Sequence, residues 1–134
     1  SPCIVVATDM RLHVDSAKSY SYPDVLVVCD PPQFRDDRSD IIMNPTVLIE
    51  VLSPSTALTD YNQKLREYRQ IDSAHEYLLV SQDTMRIERY IRHDDEEWMD
   101  TDVVGIGGVI DLPSIHCVLK LEDVYRKVIF DTED

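Results

Sequence analysis

Two carboxylates stand where a charged group needs a partner. Asp24 precedes the apolar run VLVVC (25–29), and Glu50 interrupts the apolar run TVLIEVL (46–52). A carboxylate in a buried strand is costly unless it is paired, hydrogen-bonded or bound to a metal ion. If the two strands are neighbours, both groups converge on one point, and their oxygens suit a hard cation such as Mg²⁺. The pair therefore predicts a divalent-metal site.

Simpler readings of both residues stay open at this point. Glu50 could face outward on a half-covered strand or pair with an arginine. Asp24 taken alone has the sequence context of a turn residue that follows a proline. Ser53, close after Glu50, could either support the site or serve as a turn or capping hydroxyl.

Lys64 lies on or beside the apolar face of a predicted helix. The apolar and aromatic residues that share this face are Leu58, Tyr61, Leu65, Tyr68 and Ile71. Near the start of a helix the macrodipole disfavours a cation, so a lysine there invites an anionic partner. Either its amine faces a carboxylate–metal–phosphate centre, or its stem covers the tyrosines while the amine stays in water.

Other residue types give weaker signals. The histidines lack the spacing of metal ligands; they are His13, His75, His93 and His116. Three arginines on one strand could meet phosphate, although pairing with the many acidic residues is the simpler interpretation; they are Arg86, Arg89 and Arg92. The run GIGG (105–108) lacks the strand and helix of a dinucleotide loop and predicts a turn.

The surrounding pattern predicts several strands, one helix and then more strands. Strands are expected at 3–8, 10–14, 25–29, 46–52, 76–82, 85–92, around 98 and at 109–112. A helix is expected over 57–71, regular from about Asp60, and a terminal helix over 121–128. The charged segment 33–45 is expected to be an exposed loop. The fold class is therefore α/β with a mixed sheet.

Length and composition limit the function classes. The chain has 134 residues, 43% of them hydrophobic, which predicts one domain and excludes a wholly disordered protein. A net charge of -13 excludes a non-specific nucleic-acid coat. No apolar run approaches a membrane span, and three cysteines without CxxC spacing predict reduced thiols and a cytoplasmic location. The start resembles no signal peptide, so the chain is expected to begin inside a longer reading frame.

Four motifs in order carry a family resemblance. YPDVLVV (22–28), NPTVLIEVLSPST (44–56), the spacing D-x-x-x-K-x-x-x-Y (60–68) and HEYLLV (75–80) resemble the Uma-type restriction endonuclease family of the PD-(D/E)XK nuclease superfamily. The resemblance covers nearly the whole chain. It implies a restriction-endonuclease-like core, a mixed sheet flanked by helices, in a single nuclease-like domain over 1–134 that lacks its N-terminal portion.

The resemblance also implies an activity and its residues. Asp24 corresponds to the aspartate of the PD motif, and Glu50 to the acid of (D/E)XK. The usual lysine position holds Leu52, whereas Lys64 fits the Uma-type lysine on the following helix. Asp24, Glu50 and the carbonyl of Val51 would hold Mg²⁺ or Mn²⁺, and Lys64 would stabilise the transition state of DNA hydrolysis. A homodimer would let two active sites contact the two strands of DNA. The alternative function is that of a catalytically inactive binding module of the same fold.

Overall fold

A six-stranded mixed sheet forms the centre of the fold. The computed structural model describes residues 3–7, 11–14, 19–21, 23–35, 38–52, 58–94 and 96–130. The strands are β1 (Ile4–Ala7), β2 (Arg11–Val14), β3 (Ser19–Ser21), β4 (Val25–Val28), β5 (Phe34–Arg35), β6 (Arg38–Ile42), β7 (Val47–Leu52), β8 (Glu76–Ser81), β9 (Arg86–Arg92), β10 (Trp98–Val104), β11 (Val109–Leu112) and β12 (Cys117–Lys120). The helices are α1 (Leu58–Tyr68) and α2 (Leu121–Val124), with a single 3-10 turn at Pro113–Ile115. The α/β class expected from the sequence is confirmed.

The central sheet has the order β1-β4-β7-β8-β9-β10. Every neighbouring pair is antiparallel except β7 and β8, which run parallel. Parallel neighbours need a crossover connection, and α1 lies between these two strands in the chain. The continuous apolar character of VLVV in β4 and of YLLV in β8 reflects this arrangement, because both strands are covered on both faces.

The two faces of the sheet belong to two separate apolar clusters. One cluster combines strand residues with α1 and the small sheet β3-β2-β6-β5; it includes Leu12, Ile42, Leu48, Leu65 and Tyr77. The other lies beneath the β11–β12 hairpin and α2; it includes Val47, Leu78, Ile110, Leu121 and Tyr125. Adjacent strand residues therefore point into different environments, and this determines which polar groups can meet.

The segment 33–45 is not an exposed loop, so that prediction was wrong. It contains β5 and β6, and β6 also pairs with β2 in parallel. Ile41 and Ile42 are 4% and 0% exposed and pack in the core. The sequence up to Asp40 is charged, and this concealed a short strand that ends in two buried apolar residues.

Helix and strand limits also differ from the expectation in places. The terminal helix ends at Val124 rather than 128, because the chain turns at Tyr125 and Lys127 has a φ of 67°. The first helix runs over Leu58–Tyr68, and β10 has seven residues where a short strand was expected. The turn at 105–108 is confirmed, and Gly105 has a φ of 91°, which a residue with a Cβ adopts only under strain. No helix in the described ranges is long and apolar enough to cross a membrane.

The prediction of three reduced cysteines was wrong for two of them. Cys3 and Cys29 form a disulfide, and Cys117 is free. The register of β1 and β4 explains the bond, since Ile4 lies opposite Val28 and the next pair outward is Cys3 and Cys29. Spacing along the chain could not reveal this, because the two residues meet only through strand pairing. The cytoplasmic location inferred from the thiols stays a prediction.

Candidate functional site

Glu50 lies in the fourth position of β7 and points into the cluster beneath α1. It is 3% exposed, so the reading of an outward-facing residue is wrong. Oε1 accepts hydrogen bonds from Lys64 Nζ at 2.9 Å and from the Tyr68 hydroxyl at 3.4 Å. Oε2 accepts one from the hydroxyl of Tyr77. Both oxygens of this buried carboxylate are therefore hydrogen-bonded, as its burial requires.

Lys64 combines the two roles that the sequence left open. Its Nζ lies 5.7 Å from the centre of the Tyr61 ring, and the same amine forms the ion pair with Glu50. The lysine side chain is 35% exposed, whereas that of Glu50 is 4% exposed. The amine thus lies at the boundary between the buried carboxylate and solvent, where an anion arriving from outside can reach it.

Asp24 directly precedes β4, the strand that pairs with β7 next to Glu50. Val25 pairs with Ile49 across β4 and β7, and the next step of this antiparallel register sets Asp24 opposite Glu50. Oδ2 of Asp24 accepts a hydrogen bond from the backbone N–H of Val51 at 2.7 Å. Asp24 is exposed, so its carboxylate is open to solvent while this bond fixes its position. The structure therefore joins Lys64 directly to Glu50 and sets Asp24 opposite Glu50 in the strand register.

Tyr68 and Tyr77 belong to the same site, although neither was predicted as a site residue. Tyr68 is in the last turn of α1, and Tyr77 is the second residue of β8. Their rings are both fully buried and meet edge to face, with centroids 5.0 Å apart at 86°. Burial, followed by the charge of Glu50 and the hydrogen bond to it, raises the pKa of Tyr77 far above its ordinary value.

A signal for these tyrosines does exist in the sequence. Tyr68 lies on the apolar face of the helix that carries Lys64, and Tyr77 is in the strand beside Glu50. Tyrosine on such a face is usually counted as core, although a buried hydroxyl needs a hydrogen-bond partner. A buried carboxylate in the neighbouring strand is the partner that this rule demands.

The residues present fit a hard divalent cation. Asp24, Glu50 and the carbonyl of Val51 offer only oxygen donors, which Mg²⁺ and Mn²⁺ prefer over nitrogen and sulfur. Within the described ranges no three His, Cys, Asp or Glu residues form a group suited to a metal ion. Two carboxylates with a carbonyl are enough for Mg²⁺, since this ion usually keeps several waters and takes the rest of its ligands from a phosphate.

The other candidate groups do not join this site. Among the described residues, the histidines belong to no group of three metal-ligating side chains. Arg86 pairs with Asp102 at 2.9 Å, Arg92 pairs with Glu96 at 3.0 Å, and Arg89 donates to the carbonyl of Asp111. Ser53 lies outside the part of the chain that the structure describes.

The chain is similar in sequence to two proteins of Synechocystis. The chain is 39% identical over 107 residues to the uncharacterized protein sll1609 of Synechocystis, covering 80% of this chain and 60% of that protein. It is 33% identical over 129 residues to the uncharacterized protein slr1290 of the same organism, covering 96% of this chain and 66% of that protein. The chain therefore spans less than two thirds of either relative.

A solved structure shares the fold. The crystal structure of a protein from Anabaena variabilis described as a "putative nuclease belonging to DUF820" matches with a TM-score of 0.74 at 15% identity. The match covers 95% of this chain and 70% of that one. The Uma2 family, described as "Putative restriction endonuclease", matches residues 1–122. The chain belongs to the Uma2 family, as the sequence resemblance indicated.

Proposed function

We propose that this chain provides the catalytic centre of a metal-dependent endonuclease that hydrolyses phosphodiester bonds in DNA. The observation that supports the proposal is the ion pair of Lys64 with the buried Glu50, next to Val51, whose N–H binds Asp24. Lys64 Nζ is 2.9 Å from Glu50, and Asp24 binds the peptide N–H of Val51 at 2.7 Å. An acidic interaction protein of unrelated fold would have no reason to bring these three residues together.

Asp24, Glu50 and the carbonyl of Val51 would hold the metal ion. When bound, Mg²⁺ or Mn²⁺ supplies a water of lowered pKa and neutralises charge on the scissile phosphate. The protein contributes a fixed set of oxygen ligands. Strand pairing aligns Asp24 with Glu50, and the buried tyrosine hydroxyls hold the Glu50 carboxylate in one orientation.

Lys64 would act on the phosphate rather than on the metal ion. Its amine reaches the solvent boundary of the site, and in the absence of substrate it is held by Glu50. A phosphate oxygen that gains negative charge in the transition state is a stronger acceptor than a ground-state oxygen, so a positioned ammonium stabilises it selectively. Positioning by rigid elements accounts for much of what this hydrolysis requires.

Binding to DNA would have to be local to this site. The net charge of -13 opposes broad attraction to phosphate, so contacts near Lys64 and a bound cation would supply the positive charge. Cleavage of both strands of a duplex needs two centres, and the proposal therefore includes a homodimer. Cytoplasmic action on DNA is part of the same proposal.

A second candidate is a catalytically inactive binding module of the same fold. Leu52 stands where the superfamily motif has its lysine, and it is the specific observation that favours this reading. The ion pair between Lys64 and Glu50 is compatible with a purely structural role. The two functions differ in one measurable respect, which is metal-dependent turnover.

Cleavage of supercoiled plasmid separates the two functions. The protein is incubated with plasmid in Mg²⁺ or Mn²⁺ and, in parallel, with a chelator. We expect nicked and linear DNA only with the metal ion, and none from Glu50→Gln. Glu122→Gln, which removes an exposed carboxylate of α2, is the matched control and should cleave normally. Metal-dependent binding without cleavage would instead support the inactive module.

A further inference from the structure

The exposed face of α1 differs in charge from the rest of this acidic protein. The chain has 26 acidic residues against 13 basic ones. Over residues 61–70, however, every exposed side chain carries an amide or a guanidinium group; these residues are Asn62, Gln63, Arg66, Arg69 and Gln70. The acidic residue of this segment, Glu67, is half-buried and is not without a partner. The exposed face of α1 is therefore a local exception to the negative charge of the protein.

The guanidinium groups of Arg66 and Arg69 have no hydrogen-bond or ion-pair partner among the described residues. Arginines elsewhere in the fold are engaged with acidic residues, in the pairs Arg86–Asp102, Arg92–Glu96 and Arg126–Asp123. Two unpaired guanidiniums on one face can bind an anion from outside the protein. The planar guanidinium fork suits phosphate oxygens in particular.

The exposed face of α1 borders the candidate site. Asn62, Arg66 and Arg69 lie in one row along the helix, at the spacing i, i+4 and i+7. The helical hydrogen bonding continues to Arg69, whose N–H donates at 3.0 Å to the carbonyl four residues earlier. The row is about 10 Å long, because each residue adds about 1.5 Å. Lys64 is on the flank of the same helix, where its amine binds Glu50 at 2.9 Å.

The residue types on this face are those that recognise duplex DNA. Arginine binds guanine through two hydrogen bonds in the major groove, and asparagine or glutamine binds adenine in the same way. The major groove of B-DNA is about 12 Å wide and admits an α-helix. Arg66 is also in the last turn of α1, where the helix dipole favours a cation. That effect accounts for one arginine and not for the amides beside it.

We propose that the exposed face of α1 contacts duplex DNA, with the helix lying in the major groove. Arg66 and Arg69 bind phosphate or guanine, and Asn62 and Gln63 bind base edges. One strand of the duplex then passes the flank of α1 that carries Lys64. The choice of DNA as the partner rests on the proposed nuclease function, whereas the availability of the two arginines does not.

Fluorescence anisotropy with a short labelled duplex of mixed sequence tests the surface. Binding is measured in Ca²⁺, a hard cation that also takes oxygen ligands, and gels check that the duplex stays intact. Arg66→Gln/Arg69→Gln should lower the affinity by about tenfold or more, since one good contact of this kind is worth about 5- to 150-fold. Lys120→Gln/Arg126→Gln removes two exposed cations elsewhere and should bind like the parent.

A second variant probes the same face without touching the arginines. Asn62→Asp/Gln63→Glu keeps the shape of both side chains and adds two negative charges. It should also weaken binding of the duplex, because the added carboxylates repel phosphate and cannot donate to a base. A single strand of the same length should bind the parent less tightly than the duplex, since it offers no groove to the helix.

Four results would overturn this inference. They are unchanged duplex affinity in the arginine double variant, an equal loss in the control double variant, equal binding of single strand and duplex, and equal competition by polyglutamate, which would indicate an acidic protein partner. Failure of the nuclease proposal has a different signature. Arginine-dependent binding without metal-dependent cleavage would uphold the surface and defeat the nuclease, whereas cleavage by a protein whose binding ignores both arginines would do the reverse.

Discussion

The amine of Lys64 and the carboxylate of Glu50 meet at 2.9 Å, although 14 positions separate them in the chain. The carboxylate is buried and the amine is partly exposed, so the lysine is the cationic partner that compensates a charge inside the fold. Removing one member of such a pair leaves the other uncompensated, which is more costly than replacing both. The pair therefore links the stability of the protein to its candidate chemistry.

Stability measurements should reveal this link. Lys64→Met retains the length of the side chain and removes its charge, which leaves Glu50 with only tyrosine donors. We expect a loss of about 1–3 kcal/mol, less than the 3–5 kcal/mol of a fully buried pair because the amine is partly solvated. In urea denaturation the double variant Lys64→Met/Glu50→Gln should recover much of this loss. Strictly additive effects would show that the pair contributes no coupling energy.

Cleavage assays should separate a catalytic Lys64 from a structural one. Without the ammonium, turnover by Lys64→Met should fall by about 100- to 1,000-fold, as when one positioned donor to a transition state is removed. Binding of Mn²⁺, measured by calorimetry, should persist, since the amine is not a metal ligand and its loss frees Oε1 of Glu50. A Lys64→Met protein that cleaves plasmid as fast as the parent would exclude the catalytic role.

Thermal unfolding should report metal binding directly. Mn²⁺ should raise the melting temperature, because an ion bound only by the folded state stabilises it by mass action. Asp24→Asn and Glu50→Gln should each reduce the shift, and the double variant should abolish it. Asp72→Asn changes an exposed carboxylate outside the site and serves as the control. An undiminished shift in the double variant would place the ion elsewhere.

The Tyr77 hydroxyl should hold the Glu50 carboxylate in the orientation that binds the metal ion. Tyr77→Phe retains the buried ring and removes the donor to Oε2, so we expect a loss of about 1–3 kcal/mol from an unsatisfied buried acceptor. Weaker Mn²⁺ binding should accompany it, which a purely structural role would not produce. Tyr90→Phe is the matched control, because that hydroxyl donates to Glu88 at 2.8 Å and not to the site. Equal Mn²⁺ affinity in both variants would rule out positioning by Tyr77.

Stability should vary with pH through Asp100 on β10. Burial, followed by interaction with Glu88, raises the pKa of Asp100 from 3.8 to about 6. The folded state therefore binds this proton more tightly than the unfolded state. The resulting stabilisation is fully present below the unfolded pKa and is lost as the pH rises through about 6.

The midpoints of urea unfolding, measured below and above the pKa of Asp100, test whether this residue causes the pH dependence. The wild type should lose stability between about pH 4 and pH 7 relative to Asp100→Asn, which cannot titrate. Asp72→Asn should follow the wild type. Parallel pH profiles for the wild type and Asp100→Asn would show that another group is responsible.

The sequence predicted the parts of the fold that depend on local pattern. The apolar runs around Val27 and Leu48 became central strands, and the helical period around Leu65 became α1. What escaped prediction depends on contacts between distant segments. Ile41 and Ile42 follow a charged stretch, and only their pairing with β2 and β5 places them in the core. The Cys3–Cys29 bond likewise follows from register, which a single sequence does not display.

The candidate site shows the same contrast between residues that a local pattern reveals and residues that only long-range contacts reveal. Asp24, Glu50 and Lys64 were predicted as site residues because a charge next to apolar residues is conspicuous in a sequence. Tyr77 was missed because a tyrosine among apolar residues passes for core.

The single parallel strand pair of the central sheet, β7 and β8, affects the order in which parts of the protein unfold. Glu50 and all its described hydrogen-bond donors lie in β7, α1 and β8, which follow one another in the chain, whereas Asp24 precedes β4. Undocking of α1 would withdraw Lys64 and Tyr68 together and admit water to Glu50. The opening rate of α1, measured by amide hydrogen exchange, should therefore limit how long the assembled centre persists. The amides of the central strands should remain protected during these openings.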